Sequence, residues 1–420
     1  MNDNVFDRMI GYKEVKQELL LILDRLQNPQ KYQRLGVTPP NNLLLYGAPG
    51  VGKTMFAQCF MDALGWKQFV CRKVKPNGDF VHEIAEIFAK AEAQAPAVIL
   101  LDDMDKFANE DEGHRDAEEF VAIQSCIDGI KGKQVFVVAT ANNRHKLPES
   151  LVRAGRFDHR LHLERPSGTD AEQIVAHYLR QRKNVAPVDA RRIARLTAGN
   201  SCAELETIIN LAGTYAGYEG SDRIEMPHIL KAILRIVFSA PEAAEDDGMD
   251  IALIACHEAG HAVISQLLEP GSVDLVSVCR HKGEVGGITS QYQARNYFQS
   301  KKLMENRVLC LLAGKAATEL CYGVTDTGTT EDMRRAFDIV LRFVDDYCSY
   351  GFDKFVFRER SSNDLLSRRE QQVASELDRY YAQVKQMLAE NRRFLDALTA
   401  RLIAEKTLLA EQIAEVQQTA

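Results

Sequence analysis

One stretch, GAPGVGKT at positions 47–54, restricts the possible folds of this chain more than any other part of the sequence. It matches G-x-x-x-x-G-K-[ST], a loop whose backbone N–H groups surround phosphate and which joins the end of a strand to the start of a helix. Both neighbouring segments have the required character, since the apolar run NLLLY precedes the loop and the helix-forming run TMFAQCFMDAL follows it. The sequence therefore predicts an α/β nucleotide-binding domain, in preference to a glycine-rich turn that only caps a helix.

The loop supplies a set of candidate nucleotide contacts: Gly47, Ala48, Pro49, Gly50, Val51, Gly52, Lys53 and Thr54. Lys53 would reach the terminal phosphates of ATP, and Thr54 would bind Mg²⁺. Asp102 ends the apolar run AVILLD and is expected to organise the same Mg²⁺, while Asp103 would polarise the attacking water. The alternative is that either acid is an ordinary surface residue at the end of a strand.

The order of strand-like and helix-like segments predicts a multidomain protein. Up to about residue 165 the two alternate, and the runs AVILL and VFVVATA are apolar throughout, which is typical of a parallel sheet covered by helices on both faces. Four helical segments follow without a strand, and the acidic, proline-containing stretch SAPEAAEDDGMD has the composition of a linker. We predict a large α/β subdomain at 1–165, a small helical subdomain at 166–238, a linker at 239–250 and a mainly α-helical domain at 251–420.

Composition excludes several classes of protein. A chain of 420 residues is too long for one core, and a net charge of −7, from 52 basic and 59 acidic residues, does not favour nucleic-acid binding. The nine cysteines form no CxxC pair, which argues against a disulfide framework and fits a reducing cytosol. The N-terminus lacks the layout of a signal peptide, and the unbroken apolar runs are shorter than the ~18–20 residues that cross a bilayer. We therefore expect a cytoplasmic protein without a membrane span.

A second motif, HExxH, lies in ACHEAGHAV at 255–263. Residues four apart are about one turn apart on the same side of a helix, so His257 and His261 can hold one metal ion with Glu258 beside it. Zn²⁺ favours imidazole ligands and needs a third protein ligand and an open position for water. The metal would lower the pKa of that water, and Glu258 would accept its proton and pass it to a leaving amine. The alternative is that both histidines are ordinary core or surface residues.

The nucleotide motifs resemble those of the AAA+ ATPases. The stretch VVATANNRHKLPESLVRAGRFDHRL is similar to the second region of homology of that family. The resemblance implies that Asn142 is the sensor that helps to hold the hydrolytic water. It also implies that Arg153 and Arg156 are arginine fingers, which act on the γ-phosphate bound to a neighbouring subunit and so require a ring, usually a hexamer. Internal salt bridges are the alternative for both arginines.

Nearly the whole chain resembles the FtsH-type ATP-dependent zinc proteases, from FDRMIGYKEV near its start to LLAEQIAEV near its end. In the stretch TDTGTTEDMRRAFDIV, the resemblance implies that Asp332 is the third zinc ligand. Thr329 and Asp332 also have the spacing of a helix-capping pair, so this alternative stays open. The resemblance further implies that Glu319 is an acid near the metal that orients a ligand histidine.

The same resemblance assigns further positions around both sites. It implies that Ile10 and Gly11 contact adenine and that His177 lies near the nucleotide, although packing would equally explain a lone helical histidine. The stretch VSVCRHKGEVGGITS resembles the strand beside the catalytic cleft, whose edge could bind an extended polypeptide by strand addition.

The chain departs from the family pattern in three respects. Family members usually begin with membrane-spanning segments, whereas this chain starts at the ATPase domain, which leaves room for a recruiting partner or adaptor. The hydrolytic acid is normally glutamate, and withdrawing a carboxylate by ~1 Å, as Asp103 does, can cost about a hundredfold in rate. The aromatic residue of the pore loop falls on Phe80 when counted from Thr54, but on 76–78 when counted from AVILLDD. We favour Phe80 because an aromatic ring can grip an extended chain, although it could equally be a core residue.

The resemblance thus implies a cytoplasmic homohexamer that uses ATP and Mg²⁺ to unfold and thread polypeptide substrates, and Zn²⁺ to hydrolyse them. One rival is a remodelling ATPase or chaperone whose metal domain only binds chains. Another, motivated by Asp103 and the ambiguous pore loop, is a ring with weak ATPase activity around a peptidase that cleaves already unfolded proteins. The acidic balance disfavours a machine that acts on nucleic acid, and no nucleic-acid partner is expected.

Overall fold

The computed structural model describes residues 6–38, 40, 42–74, 79–108, 117–153, 155–240, 248–279, 287–291, 299–325, 327–351 and 362–420. The chain divides into two compact units, Met1–Ile229 and Leu230–Ala420. Most of the predicted linker, residues 241–247, lies outside the described residues, and the predicted domain limits remain predictions.

The first unit is built on a five-stranded parallel sheet with the strand order β2-β3-β4-β1-β5. Its strands are β1 (Leu43–Tyr46), β2 (Lys67–Cys71), β3 (Ala97–Leu101), β4 (Val135–Ala141) and β5 (His159–His162). Every residue of β3 and β4 is buried, as their continuous apolar runs predict. Because parallel strands end at the same edge of a sheet, the residues after β1, β3 and β4 lie close together. The predicted α/β fold is confirmed.

Nine helices of the described residues accompany this sheet or follow it in the chain. They are α1 (Lys13–Gln27), α2 (Pro29–Gln33), α3 (Lys53–Leu64), α4 (Phe80–Ala93), α5 (Glu118–Gly129), α6 (Gly168–Arg180), α7 (Ala190–Leu196), α8 (Cys202–Tyr218) and α9 (Met226–Val237). The last four correspond to the four helical segments predicted after residue 168. The start of α8 is fixed by a capping box, in which Ser201 and Glu204 each bind the other's backbone N–H.

Phe80 is a core residue, which corrects its assignment to a pore loop. It is the first residue of α4, a helix that Asp79 caps by accepting a hydrogen bond from the backbone N–H of His82. The Phe80 side chain is only 5% exposed, and its ring packs edge-on against Phe107 at a centroid distance of 4.9 Å. A ring held in this way cannot grip a passing chain. The competing candidates at 76–78 lie outside the described residues.

The second unit is mainly helical, as predicted. It contains the helices α10 (Gly248–Leu268), α11 (Lys301–Tyr322), α12 (Thr330–Asp345), α13 (Asn363–Glu390), α14 (Arg392–Glu405) and α15 (Ala410–Thr419). The described residues of this unit also form three strands, β6 (Val273–Ser277), β7 (Ile288–Gln291) and β8 (Thr407–Leu409), which make an antiparallel sheet in the order β7-β6-β8. This order places β7 at one edge of the sheet.

Helix α10, which carries the HExxH motif, is the centre of this unit. Its contact with α11 is close because residue 260 is glycine: a Cβ atom there would lie 2.6 Å from both the carbonyl oxygen of Ala313 and the Cβ of Ala317. By length and composition Ile251–Leu268 could cross a membrane, a window that a search for unbroken apolar runs overlooks. However, 72% of the window is buried inside the structure, which is the pattern of a core helix.

Candidate functional sites

The phosphate loop joins β1 to α3, and Lys53 is folded back over it. The Lys53 ammonium donates to the carbonyl oxygens of Gly47 (3.0 Å) and Ala48 (2.9 Å) and to Oδ1 of Asn142 (2.8 Å). Burial lowers the pKa of Lys53, and the nearby carboxylates of Asp103 and its neighbours oppose this effect. The structure therefore brings together the predicted phosphate-binding lysine and the predicted sensor asparagine.

Asp102 is buried at the end of β3 in a set of hydrogen bonds. Oδ1 accepts from the hydroxyls of Thr140 (2.7 Å) and Thr54 (2.9 Å), and Oδ2 forms an ion pair with Arg72. Burial favours the neutral carboxyl, but these donors outweigh it and hold the pKa of Asp102 below its usual value. Thr54 and Asp102 thus lie in contact, and both were predicted to bind or organise Mg²⁺. Sequence reasoning missed Arg72, which belongs to no motif.

Asp103, the candidate hydrolytic acid, has a left-handed backbone conformation with φ 55°. Its N–H donates to the Thr140 hydroxyl (2.8 Å), so the turn after β3 is attached to β4. Its carboxylate accepts from Nδ2 of Asn142 (3.3 Å) and forms an ion pair with Lys106 at 2.8 Å. Asp103 therefore lies beside the predicted sensor, Asn142, and its carboxylate is also paired with a surface lysine.

Asn142 is held from two directions at the end of β4. Its side-chain amide connects Lys53 to Asp103, as described above. Its backbone N–H donates to Oδ1 of Asp105 (3.0 Å), and the N–H of Asn143 donates to Oδ2 of the same carboxylate (3.1 Å). Asp105 thus fixes the turn that carries Asn142, a role that no sequence motif indicates.

The two predicted arginine fingers differ in their surroundings. Arg156 is buried, and its guanidinium donates to Asp128 (2.8 Å), Gln124 (2.9 Å) and the carbonyl oxygen of Ser150 (2.6 Å). This arrangement is the internal salt bridge that the sequence left open, and it argues against a free finger at 156. The Arg153 side chain is exposed and remains a candidate finger.

The segment with the predicted adenine contacts lies against α6. Ile10 is half-buried, and Gly11 has φ 72° with its Cα so close to Asp170 that a Cβ would lie 2.9 Å from the carboxyl carbon. The N–H of Tyr12 donates to Oδ2 of the same aspartate at 3.1 Å. Asp170 therefore anchors this segment to the helical subdomain, while the adenine contact itself remains a prediction.

His177 makes contacts within its own helix. It is half-buried in α6, one of its ring nitrogens lies 2.8 Å from the side-chain amide of Gln181, and its ring meets Tyr178 edge-on. These contacts match the packing alternative. A position near the nucleotide remains a prediction.

The second unit brings the three predicted zinc ligands together. One donor atom from each of His257, His261 and Asp332 lies within 4.8 Å of the others. Nε2 of His261 is 3.0 Å from Nε2 of His257, and Oδ2 of Asp332 is 3.3 Å and 3.0 Å from these two nitrogens. Asp332 lies in the first turn of α12, which Thr329 precedes without a side-chain capping hydrogen bond. The Asp332 carboxylate therefore contacts the two histidines and does not form a capping pair with Thr329.

The electrostatics of this cluster suit a cation. Burial disfavours a charged His261, but the Asp332 carboxylate more than compensates and raises the pKa of His261 to about 9. Burial also disfavours ionised Asp332, whereas hydrogen bonds with the two imidazoles lower its pKa below the usual value. Two imidazoles and one carboxylate are a set of donors that Zn²⁺ prefers, with a fourth position left for water.

The neighbours of the histidines orient their donor atoms. Nδ1 of His261 lies 2.7 Å from the carbonyl oxygen of Cys310, which can only accept, so Nδ1 carries a proton and Nε2 is the nitrogen that faces the centre, where a bound metal ion would take the place of a second proton. Gly314 leaves the space that the rings need, because a Cβ there would lie 2.6 Å from Nε2 of His261 and closer still to His257. The residues present therefore fit zinc, and the sequence had not indicated Cys310 or Gly314.

Glu258 lies in the same turn of α10 and is 5% exposed. Its Oε2 accepts a hydrogen bond of 2.6 Å from the hydroxyl of Thr289, on strand β7. The candidate general base is thus buried next to the ligand histidines and held by a neighbouring strand, a contact that the sequence did not reveal.

Glu319 has a different role from the predicted one. Its carboxylate binds Lys315, Lys385 (2.9 Å), the Tyr381 hydroxyl (2.6 Å) and the Thr325 hydroxyl (3.2 Å). These contacts tie α11 to α13, and the carbonyl of Cys310, not Glu319, receives the Nδ1 proton of His261. The prediction that Glu319 orients a ligand histidine is therefore corrected for His261.

A nucleotide site on a parallel sheet and a His-Glu-His-Asp cluster on helices define an ATPase joined to a metallopeptidase. Comparison with family models agrees: residues 43–165 match the ATPase family associated with various cellular activities, AAA, and residues 248–416 match peptidase family M41. These two domains imply the predicted cofactors ATP, Mg²⁺ and Zn²⁺.

Similar proteins that align with nearly the whole chain are named ATP-dependent zinc metalloprotease FtsH. The relatives from Ureaplasma parvum and Thermobaculum terrenum are each 30% identical over 98% of this chain, covering 60% and 68% of their own lengths. The relative from Bacillus subtilis is 28% identical over 97% of this chain and 69% of its own length. The chain belongs to the FtsH family of ATP-dependent zinc metalloproteases.

Proposed function

We propose that the chain forms a homohexamer that uses ATP to unfold and thread polypeptides and cleaves them processively at the zinc centre. The observation that carries the proposal is the cluster of His257, His261 and Asp332, whose donor atoms lie within 4.8 Å of one another in a chain that also has a complete phosphate loop. Both parts have a purpose in one protein, because folded proteins hide their peptide bonds and must be opened before cleavage.

The chain's own residues divide the peptidase chemistry among them. Zn²⁺ held by the cluster would supply Lewis acidity, which makes a water molecule acidic enough to lose a proton near neutral pH. Glu258 accepts that proton and returns it to the amine of the cleaved bond. Among the described residues, strand β7 pairs only with β6, so we propose that an extended substrate adds to its outer edge through main-chain hydrogen bonds. Recognition of this kind suits an enzyme that cuts many sequences.

The nucleotide site supports the ATP-dependent half of the proposal. Thr54 contacts Asp102, and Asn142 connects Lys53 to Asp103; these contacts support the roles of Lys53, Thr54 and Asp102 in holding phosphate and Mg²⁺. An exposed Arg153 is compatible with action on a nucleotide of a neighbouring subunit. Family membership supports assembly into a ring, because only in a ring could Arg153 reach the nucleotide of a neighbouring subunit.

Two observations favour a second candidate, a peptidase with weak ATPase activity that cleaves already unfolded chains. Asp103 is one methylene shorter than the usual glutamate, and its carboxylate is paired with Lys106. Arg156 is also committed to Asp128 within its own unit. Both features would slow hydrolysis without affecting the zinc centre.

The cellular setting is a further proposal. All nine cysteines are free thiols, which supports a reducing compartment, and we propose the cytoplasm. A recruiting partner or adaptor would direct substrates to the ring.

A degradation assay on one folded and one unfolded protein tests these proposals. Each substrate is incubated with ATP or a non-hydrolysable analogue, before and after chelation of zinc, and Glu258→Gln serves as the control without a general base. We expect cleavage of the folded substrate to require both hydrolysable ATP and zinc. Cleavage of the unfolded substrate alone, independent of ATP, would favour the second candidate, and cleavage that survives chelation would contradict both.

A further inference from the structure

Strand β7 faces helix α10 with the side chains of alternate residues. Thr289 donates to Oε2 of Glu258 at 2.6 Å and lies 3.2 Å from the backbone carbonyl oxygen of the same residue. Two residues along the strand, the Gln291 amide donates to the hydroxyl of Ser265, which in turn donates to the carbonyl oxygen of His261 at 2.6 Å. Residues i and i+2 of a strand share a face, so both polar side chains point at the metal-binding helix.

The start of the strand approaches the same glutamate. Residue 287 is glycine, and a Cβ there would lie 2.5 Å from Cγ of Glu258 and from the carbonyl oxygen of Ser277. Glu258 is thus confined on one side by the backbone at Gly287 and hydrogen-bonded on the other by Thr289. A buried carboxylate needs a hydrogen-bond donor, and a short bond to an ionised group both stabilises and orients it.

We propose that Thr289 is the positioning residue of Glu258, so that the substrate-binding edge strand also aligns the general base. This proposal rests on the proposed peptidase function. Thr289 does not touch the reacting atoms; it selects the orientation in which the Glu258 carboxylate can take a proton from water. A peptide paired with the outer edge of β7 is therefore held by the same strand that orients the Glu258 carboxylate. One strand thus positions both the substrate and the general base.

The arrangement makes a specific demand on the side chain at 289. The proposal requires the hydroxyl, because Oγ1 makes the hydrogen bond to the Glu258 carboxylate. Valine keeps the shape and removes the donor, while serine keeps the donor and removes the methyl group. Alanine provides a second variant without a hydroxyl in case the valine variant does not fold.

The test measures cleavage of an unstructured fluorogenic peptide by the full chain carrying Thr289→Val, Thr289→Ala or Thr289→Ser. Bound zinc per chain and the melting temperature are measured on the same samples. Losing a hydrogen bond to a charged group should lower kcat by about 10- to 100-fold in the valine and alanine variants. KM and zinc content should stay within about twofold of wild type, because neither substrate pairing nor the ligands have changed. The serine variant should recover most of the lost kcat.

Thr407→Val is the matched control. Thr407 lies in β8, at the other edge of the same sheet, and its hydroxyl is 2.8 Å from the Ser277 hydroxyl instead of Glu258. The Thr407→Val variant should cleave the peptide at the wild-type rate.

The possible outcomes distinguish a failure of the positioning role of Thr289 from a failure of the proposed peptidase function. Wild-type kcat in folded Thr289→Val would overturn the positioning role while leaving the peptidase intact. A fall in zinc content or melting temperature that accounts for the lost activity would also overturn it, because Thr289 would then be structural. A zinc-loaded wild-type chain that cleaves no peptide would instead remove the proposed function.

Discussion

The nucleotide site and the metal centre are assembled in different ways. The nucleotide site gathers Asp102 and Asn142, which directly follow β3 and β4, and Lys53, which follows the loop after β1, so the order of strands in the sheet brings them together. The metal centre uses side chains from α10 and α12, with support from α11 and β7. The first site is a property of sheet topology, whereas the second depends on how closely separate helices pack.

The two sites also differ in how their acids are balanced. Asp102 and Asp103 are paired with protein cations, Arg72 and Lys106. Asp332 instead faces two imidazoles, an arrangement that gains most from a bound cation. This contrast indicates that each site can be disabled without the other, which the following changes would test.

The largest expected effect is at the metal centre. Asp332→Ala removes one ligand, so the affinity for zinc should fall by more than the roughly 10- to 100-fold that loss of an outer-shell partner costs. Metal analysis and peptide cleavage measure this loss, and ATP hydrolysis should persist. Asp338→Ala, an exposed acid on the same helix, is the control. Stoichiometric zinc in the Asp332 variant would contradict the ligand assignment.

The converse change is Lys53→Ala. Removing this preorganised donor should lower ATP turnover by about 10²- to 10³-fold, measured as phosphate release, while zinc content and cleavage of an unstructured peptide stay unchanged. Lys90→Ala, on the surface of α4, controls for the loss of a lysine. A parallel loss of peptide cleavage would show that the two sites are not separable.

A smaller effect is expected from Gly314→Ala, which tests helix packing as the basis of the metal centre. The added Cβ would overlap the ligand rings, so zinc affinity should fall by about 10- to 100-fold at a stability cost of about 1–3 kcal/mol. Competition with a chromophoric chelator and thermal unfolding measure the two quantities. Gly217→Ala, in α8 with open space around it, makes the same change without a clash. Equal zinc affinity in both variants would contradict the packing argument.

The smallest effect concerns Glu319, whose contacts tie α11 to α13. Burial opposes its ionisation, but hydrogen bonds from Lys315, Tyr381 and Lys385 lower the pKa of Glu319 to about 2. Glu319→Gln should therefore reduce the free energy of unfolding by about 1–3 kcal/mol at neutral pH without changing zinc content.

A depressed carboxyl pKa stabilises the fold above the unfolded value of 4.5, and this contribution is lost as the pH falls towards 2. The difference between wild type and Glu319→Gln in denaturant unfolding should shrink over that range. Loss of zinc in the variant at neutral pH would restore the ligand-orienting role that the sequence implied.

The sequence was informative wherever function depends on neighbours in the chain. The phosphate loop and HExxH are local patterns, and their residues lie together because a strand-loop-helix or one helical turn places them so. Asp332 came from resemblance, since spacing alone left a capping pair open. Phe80 was misassigned because a residue at the start of an amphipathic helix has the same local pattern whether it faces a pore or a core.

The supporting residues could not be found in this way. Arg72, Gly314 and Thr289 act through contacts with residues far away in the chain, and no local pattern marks them. Arg156 shows the same limit, because only the position of Asp128 distinguishes an internal salt bridge from a residue that reaches a neighbour.

The reciprocal glycines of α10 and α11 have a consequence for how this protein can change. Gly260 allows α11 to pack closely against α10, and Gly314 leaves space for the two imidazole rings in the same helix contact. The distance between the two helices therefore sets the distance between the metal-binding atoms. Substitutions that change the distance between α10 and α11 would change the distance between the donor atoms of the ligands, even when the substituted residue lies several positions from any histidine. We therefore expect substitutions along this helix contact to change zinc affinity and the stability of the domain together.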